Sequence, residues 1–480
     1  MTRRMARSVD DGAGTWGQNG RIDEAEVGVR MSLRRGRAAV AVVAALGVLL
    51  SGCGRLIDGV GNYSSGLSNV PDAKVEIRGG DGGPIDKIAG NAIADLQAFW
   101  AQQMPRVFGK PYKPVTAFFS VDPEGKSAAP CTNNAADIRG NAFYCPTQDI
   151  VAWDRRVLFP DLAKRFGDFL VAMVLAHEWG HVIQHRSSLP SNRTIVLETQ
   201  ADCYAGSWTA SALHGGAPHF QIGRQDLDSA LAGYLLFRDP VGAQANDRQA
   251  HGSGFDRISA FQEGFEQGPK HCTTFSDRRV FTEIPFNDVR DEAQQGNLPY
   301  QDTISQGPAD IEDYWSTSFD KTFGKKWEPS PKVNPFDGDS NRPSCDGAKV
   351  SGVQYCPTDD TIFFDRQDAI KRVYDQTGDF GPMSLIAVAF GQAARKRLGQ
   401  SVNGEPALLS SICLAGAYAG DVFNRRRAKA IILSPGDLDE AIQALLTFAG
   451  KAGFFEASGT VGFDRVAAFR KGFADIRSCA

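Results

Sequence analysis

The densest chemistry in this 480-residue chain sits in five residues, His177-Glu178-Trp179-Gly180-His181. Two histidines four positions apart share one face of a helix, so both can turn a ring nitrogen to one ion. Zinc takes imidazole ligands at about 2.0–2.1 Å in a tetrahedral arrangement. Glu178, beside the first histidine, is placed to act as general base on a water that the ion acidifies. So short a string also arises by chance, so it needs a third ligand. Glu198-Thr199-Gln200-Ala201-Asp202 offers one, with two carboxylates again four apart. Glu198 is the expected ligand, and Asp202 the acceptor that orients a ligand histidine. His185, one turn beyond His181, is the rival, although three ligands on one straight helix diverge along its axis.

These residues need elements to hold them. Asp161 to Arg186 reads as one helix, with Phe166, Phe169, Leu170, Met173, Val174 and Ala176 apolar ahead of the histidines. A helix around Trp100 and short strands through Thr116–Val121 and Ile150–Trp153 precede it. The helix carrying Glu198 and a last helix ending at Cys272 follow. The class is α+β.

The cysteines show a larger pattern. Cys131, Cys145, Cys203 and Cys272 are separated by 14, 58 and 69 residues, and Cys345, Cys356, Cys413 and Cys479 by 11, 57 and 66. Two such quartets imply a duplicated unit. Tyr144-Cys145-Pro146-Thr147 returns as Tyr355-Cys356-Pro357-Thr358, and Gly254-Phe255-Asp256-Arg257 as Gly462-Phe463-Asp464-Arg465. The repeats are placed at about 88–273 and 305–480, with a polar connector at 274–304. Bridges are expected within each repeat, as Cys131–Cys145, Cys203–Cys272, Cys345–Cys356 and Cys413–Cys479, although each quartet allows three connectivities.

Comparing the chain with itself sorts residues by role. Gly180 falls on Gly391 and Trp179 on Phe390, but His177 falls on Val388, Glu178 on Ala389 and His181 on Gln392. Glu198 falls on Leu408 and Asp202 on Ile412. The second copy keeps the scaffold and lacks the metal site. Arg257 returns as Arg465 and is expected to bond a carboxylate in both copies.

The N-terminal residues bear on location. Residues 1–30 lack periodicity and are expected to be unstructured or to precede the true start at Met31. Arg34, Arg35 and Arg37, then the 13-residue apolar run Ala38–Leu50, form a signal peptide over 31–53. The run is too short to cross a bilayer, which takes about 20 residues. Leu50-Ser51-Gly52-Cys53 resembles the lipobox of bacterial lipoproteins, which implies acylation of Cys53 and a lipid anchor on the extracytoplasmic face of the cell membrane. A net charge of -4 without a basic stripe argues against a nucleic-acid partner.

Together, His177-Glu178-x-x-His181, Glu198-x-Gln200-Ala201-Asp202-Cys203-Tyr204-Ala205-Gly206 and His251-Gly252-Ser253 resemble the neutral zinc metallopeptidase family. The lipobox and duplicated cysteines look like those of its LpqM-type lipoprotein peptidases from mycobacteria. The resemblance implies a zincin-like fold of the gluzincin kind, one Zn2+ per chain and hydrolysis of a peptide or protein substrate. It also implies that Glu198 binds metal and that Asp202 supports it. His251 then either stabilises the oxyanion or caps the helix starting near Phe255, with Tyr204 the weaker choice for the first task. The metal-free repeat is expected to bind substrate or a partner protein. The alternative is a zinc-containing binding lipoprotein without turnover. A nucleophilic hydrolase finds no G-x-S-x-G elbow.

Overall fold

In the computed structural model of the chain, residues 66–188, 191, 193–247, 250–450, 453–455 and 459–479 are described. The expected signal peptide, Cys53 and residues 1–30 lie outside them.

The first half opens with β1 (Ile77–Arg78) and α1 (Pro84–Phe108), and Pro84 sits in the first turn, where its missing N–H costs no helical bond. β2 (Ala117–Val121), β3 (Ala142–Cys145) and β4 (Ile150–Asp154) complete a sheet in the order β1-β2-β4-β3. Its first three strands run parallel, and β3 joins the edge antiparallel with Tyr144 opposite Val151. Both faces are covered, which is why Ala142 to Cys145 and Ile150 to Trp153 are apolar without alternation. Phe118, Tyr144 and Trp153 join the main core with helices α1 and α3, while Phe143 and Cys145 pack on a smaller cluster under the 122–141 loop.

Then come α2 (Leu158–Phe166), α3 (Asp168–Ser187), α4 (Thr194–Leu213), α5 (Arg224–Tyr234), α6 (Gly254–Gln267) and α7 (Pro269–Cys272). The single helix expected from Asp161 to Arg186 is two, because Gly167 takes φ 93° and ends α2. α3 is buried nearly all round from Phe169 to Gly180, as a core helix must be when it is apolar on every side. It crosses α4 closely: a Cβ on Gly180 would lie 2.5 Å from Ala201 Cα. Only glycine permits that approach, and the approach sets the histidines of α3 beside the carboxylates of α4.

α8 (Val289–Ala293) lies in the expected connector, and α9 (Tyr300–Phe323) begins inside that connector rather than at residue 305. The second half continues with β5 (Lys332–Phe336), β6 (Ser344–Cys345), β7 (Ala348–Lys349), β8 (Val353–Cys356) and β9 (Thr361–Asp365). Its helices are α10 (Ala369–Thr377), α11 (Phe380–Leu398), α12 (Glu405–Phe423), α13 (Asp437–Thr447) and α14 (Gly462–Ala474). Its main sheet runs β5-β9-β8, with β5 parallel and β8 antiparallel to β9. Gly391 of α11 meets Ser411 of α12 as closely as Gly180 meets Ala201.

The halves grip each other reciprocally. Asp228 of α5 accepts from the backbone N–H groups of Gly462 and Phe463 at the start of α14. Asp439 of α13 accepts from Phe255 N at the start of α6, 2.7 Å away. Phe255 packs on Phe473, and Phe463 on Phe265. The four disulfides are Cys131–Cys145, Cys203–Cys272, Cys345–Cys356 and Cys413–Cys479, the pairing expected above.

Candidate metal centre

His177 and His181 lie on α3 and Glu198 on the first turns of α4, and their donor atoms converge. His177 Nε2 is 3.2 Å from His181 Nε2 and 3.2 Å from Glu198 Oε2, and His181 Nε2 is 3.5 Å from Glu198 Oε1. Ligands about 2.0–2.1 Å from a tetrahedral zinc ion are about 3.3 Å apart, so these edges suit one such ion. Glu198 Oε2 is buried and accepts no hydrogen bond, although an imidazole nitrogen adjoins it. A buried carboxylate oxygen without a donor is costly unless a cation satisfies it. The donor set therefore fits zinc.

Each ligand is held from behind. His177 donates Nδ1–H to Asp202 Oδ1 at 2.7 Å, which leaves the Nε2 lone pair for an ion. Asp202 is fully buried and receives Arg257 through two nitrogens, Nε at 2.8 Å and Nη2 at 2.9 Å, together with the Tyr234 hydroxyl. His181 Nδ1 is 2.9 Å from Gln184 Oε1, and the Gln184 amide donates to Leu197 O at 2.6 Å. Gln184 and Tyr234 were not singled out from the sequence. Gln184, one turn after His181, carried a usable signal in its spacing; Tyr234 carried none.

Glu178 is fully buried, with Oε2 accepting from Tyr144 N of the edge strand β3 at 2.9 Å and Oε1 without a partner. His185 is no ligand: its Nδ1 is 2.8 Å from the Tyr144 hydroxyl, in a group with Arg186 and Asp149. Tyr204 lies fully buried with its ring against Trp100, so it belongs to the core. His251 does not cap α6; the Ser253 hydroxyl does, accepting from Asp256 N. The His251 imidazole goes to Asp239, 3.0 Å away, and makes no hydrogen bond to the three donors among the described residues. Its neighbour Gly252 packs against Ile195 and Thr199 of α4 and Arg257 of α6, so the loop lies beside the residues that brace His177. Arg465, expected to bond a carboxylate like Arg257, donates instead to the carbonyls of Leu445 and Thr460. The reason is local: Ile412 stands where Asp202 stands in the first half, so the guanidinium finds main-chain oxygens.

The electrostatics match a cation site. Burial opposes protonation of His177, but Asp202 and then Glu198 overcome it and push the imidazole up to about 10. His181 is raised against burial by Glu198. Burial would raise Glu198, yet His181 and His177 hold it well below the usual carboxylate range. Asp202 is likewise drawn down to about 2, against burial, by Arg257 and His177. Burial raises Glu178, the only carboxylate of the group that gains proton affinity. The centre thus holds two carboxylates kept low, two imidazoles raised, and one carboxyl, Glu178, raised by burial.

Three converging donors, two of them braced imidazoles, beside a buried carboxylate make up a candidate metal centre. Residues 7–275, more than half of the chain, match the family described as "Putative neutral zinc metallopeptidase", and the chain belongs to that family. It is 29% identical over 209 residues to the uncharacterized protein YpfJ of Escherichia coli K12, covering 38% of this chain and 69% of the relative. It is also 29% identical over 160 residues to the uncharacterized protein Rv2575 of Mycobacterium tuberculosis, covering 28% of this chain and 55% of that relative. No solved structure matches.

Proposed function

We propose that the chain is a zinc-dependent peptidase in which His177, His181 and Glu198 hold one zinc ion and Glu178 moves the proton in peptide hydrolysis. One observation carries this reading: Glu178 Oε1 and Glu198 Oε2 are buried without hydrogen-bond partners in the group that also presents two imidazole nitrogens. Bound zinc supplies the positive charge that acidifies water and polarises a carbonyl. The chain's own residues do the rest. Asp202 and Gln184 fix the two rings, so the ligand nitrogens do not swing. Tyr144 N–H fixes Glu178, and burial gives its carboxylate the proton affinity to take a proton from water and pass it to the leaving amine. His251, held by Asp239, is the candidate for stabilising the oxyanion.

The wider reading is also ours. Cys53 is the lipidation site, which places the protein on the outer face of the cell membrane. The second half is a duplicate without the zinc site, and it binds the substrate or a partner protein. The deciding experiment pairs metal analysis with cleavage of a peptide library by wild type and Glu178→Gln. Zinc retained with cleavage abolished supports the peptidase; zinc retained with no cleavage by either protein supports the binding lipoprotein.

A further inference from the structure

A second cluster of ligand-type side chains lies far along the chain from the histidines. Asp379 at the start of α11 and Asp437 and Glu440 in the first turn of α13 bring one carboxylate oxygen each within 4.8 Å of one another. All three are buried, at 2%, 4% and 7% exposure. Each spends one oxygen on a backbone N–H: Leu298 N donates to Asp379 Oδ2 at 3.0 Å, Ser434 N to Asp437 Oδ2 at 2.8 Å and Phe380 N to Glu440 Oε2 at 2.8 Å. Those bonds fix the carboxylates and leave their second oxygens over. Asp379 Oδ1 and Asp437 Oδ1 are buried with no hydrogen-bond partner at all. No ion pair among the described residues reaches any of the three.

The surroundings add further oxygen, and the nearby cation, Arg238, is paired with Asp439. Glu440 Oε1 and the Asn297 side-chain oxygen both crowd against Gly378, where a Cβ would lie 2.0 Å from the first and 2.3 Å from the second. Gly378 has φ 119°, so both its backbone and its missing side chain are required there. Isolated carboxylates in such a setting are driven to protonate, and burial, then mutual repulsion, does raise Asp437 and Glu440 well above the usual range. A proton shared between two of these oxygens is the competing way to satisfy them, and calcium uptake by the wild-type protein separates the two readings.

We propose that Asp379, Asp437 and Glu440 form a second metal site, for one calcium ion, that fastens α11 and α13 together beside the connector. The donors are all oxygen, which selects a hard cation over zinc. Magnesium holds on to most of its waters, whereas calcium accepts a shell built largely of protein oxygens, so buried carboxylates favour calcium. Backbone carbonyls and water complete the six to eight ligands that calcium takes. The site reaches the first half through α13, whose Asp439 holds the start of α6 and pairs with Arg238.

The test uses the full-length purified protein with its zinc content measured in parallel. Equilibrium dialysis with radioactive calcium should find about one ion per chain, and saturating calcium should raise the melting temperature by roughly 3–6 °C. Asp437→Asn/Glu440→Gln should lose both responses while its zinc content stays that of wild type. Asp379→Asn, the milder change, should weaken calcium binding at least about tenfold. Absence of calcium binding by wild type at about 10 mM overturns the site, as does equal binding by the double variant. Equal protection by magnesium overturns the choice of ion. If the double variant does not fold, the wild-type isotherm and Asp379→Asn decide.

Discussion

At the α3–α4 crossing Gly180 meets Ala201, and at the α11–α12 crossing Gly391 meets Ser411. Both crossings are tight and buried, yet their faces differ. The first presents His177, Glu178, His181, Glu198 and Asp202; the corresponding residues of the second are Val388, Ala389, Gln392, Leu408 and Ile412. All seven histidines of the chain fall between His177 and His271. Elsewhere the polar architecture persists. Tyr144 and Arg186 converge on Asp149, and Tyr355 and Arg397 converge on Asp360 in the same way. Buried Asp95 takes His219 as its partner, and Asp310 takes Arg427. The comparison separates groups that hold the fold, which recur, from the proposed zinc-binding groups, which do not.

The comparison can be broken most directly at Glu178. Glu178→Gln should keep zinc and lower peptide cleavage at least about 10²-fold, because only the proton transfer is removed. Undiminished cleavage would return this residue to the structural class. His181→Gln copies the second half, where Gln392 stands, and should take the zinc content of purified protein from about one per chain to near zero. Full zinc retention would mean that the missing histidines do not explain the difference between the halves. Asp202→Asn should weaken zinc binding by about 10–100-fold, since the His177 ring loses its charged acceptor.

A smaller effect concerns protons. Burial raises Asp256 to about 6, whereas its counterpart Asp464 is more exposed and pairs with Arg224. A raised folded-state value means that Asp256 adds stability below the ordinary 3.8 and that this is lost as pH rises through about 6. Asp256→Asn should remove that loss, worth at most about 3 kcal/mol between the two limits, when urea midpoints are compared at pH 4 and 7.5.

Much of this was legible in the sequence because the chain carries its own control. Four-residue spacing located His177 with His181 and Glu198 with Asp202, and the cysteine quartets pointed to bridges within each half, which the structure has. Other features were hidden for physical reasons. Tyr234 reads as an ordinary amphipathic core residue; only the bond from its hydroxyl to Asp202 gives it a role. The break at Gly167 was masked because the apolar spacing runs on through both helices. Arg465 misled because a retained arginine need not retain its acceptor. Asp379, Asp437 and Glu440 stand at helix starts, where acids commonly satisfy free N–H groups. Each accepts from a backbone N–H here, and nothing local announces that the three carboxylates meet.

The reciprocal grip between halves has a further consequence. Asp228 and Asp439 stand 211 residues apart, as do Gly180 and Gly391, and each aspartate caps the helix that belongs to the other half. Phe255 on Phe473 and Phe463 on Phe265 exchange in the same manner. A contact in which residue i meets j and j meets i is the signature of an isologous dimer. Under the proposed duplication, this seam is what fusion of two copies of an isologous dimer would leave, and fusion frees the two copies from having to stay identical. A mutation in a homodimer strikes both sites at once. In a fused pair one site can decay while the other is kept, and the symmetric seam still holds the halves together.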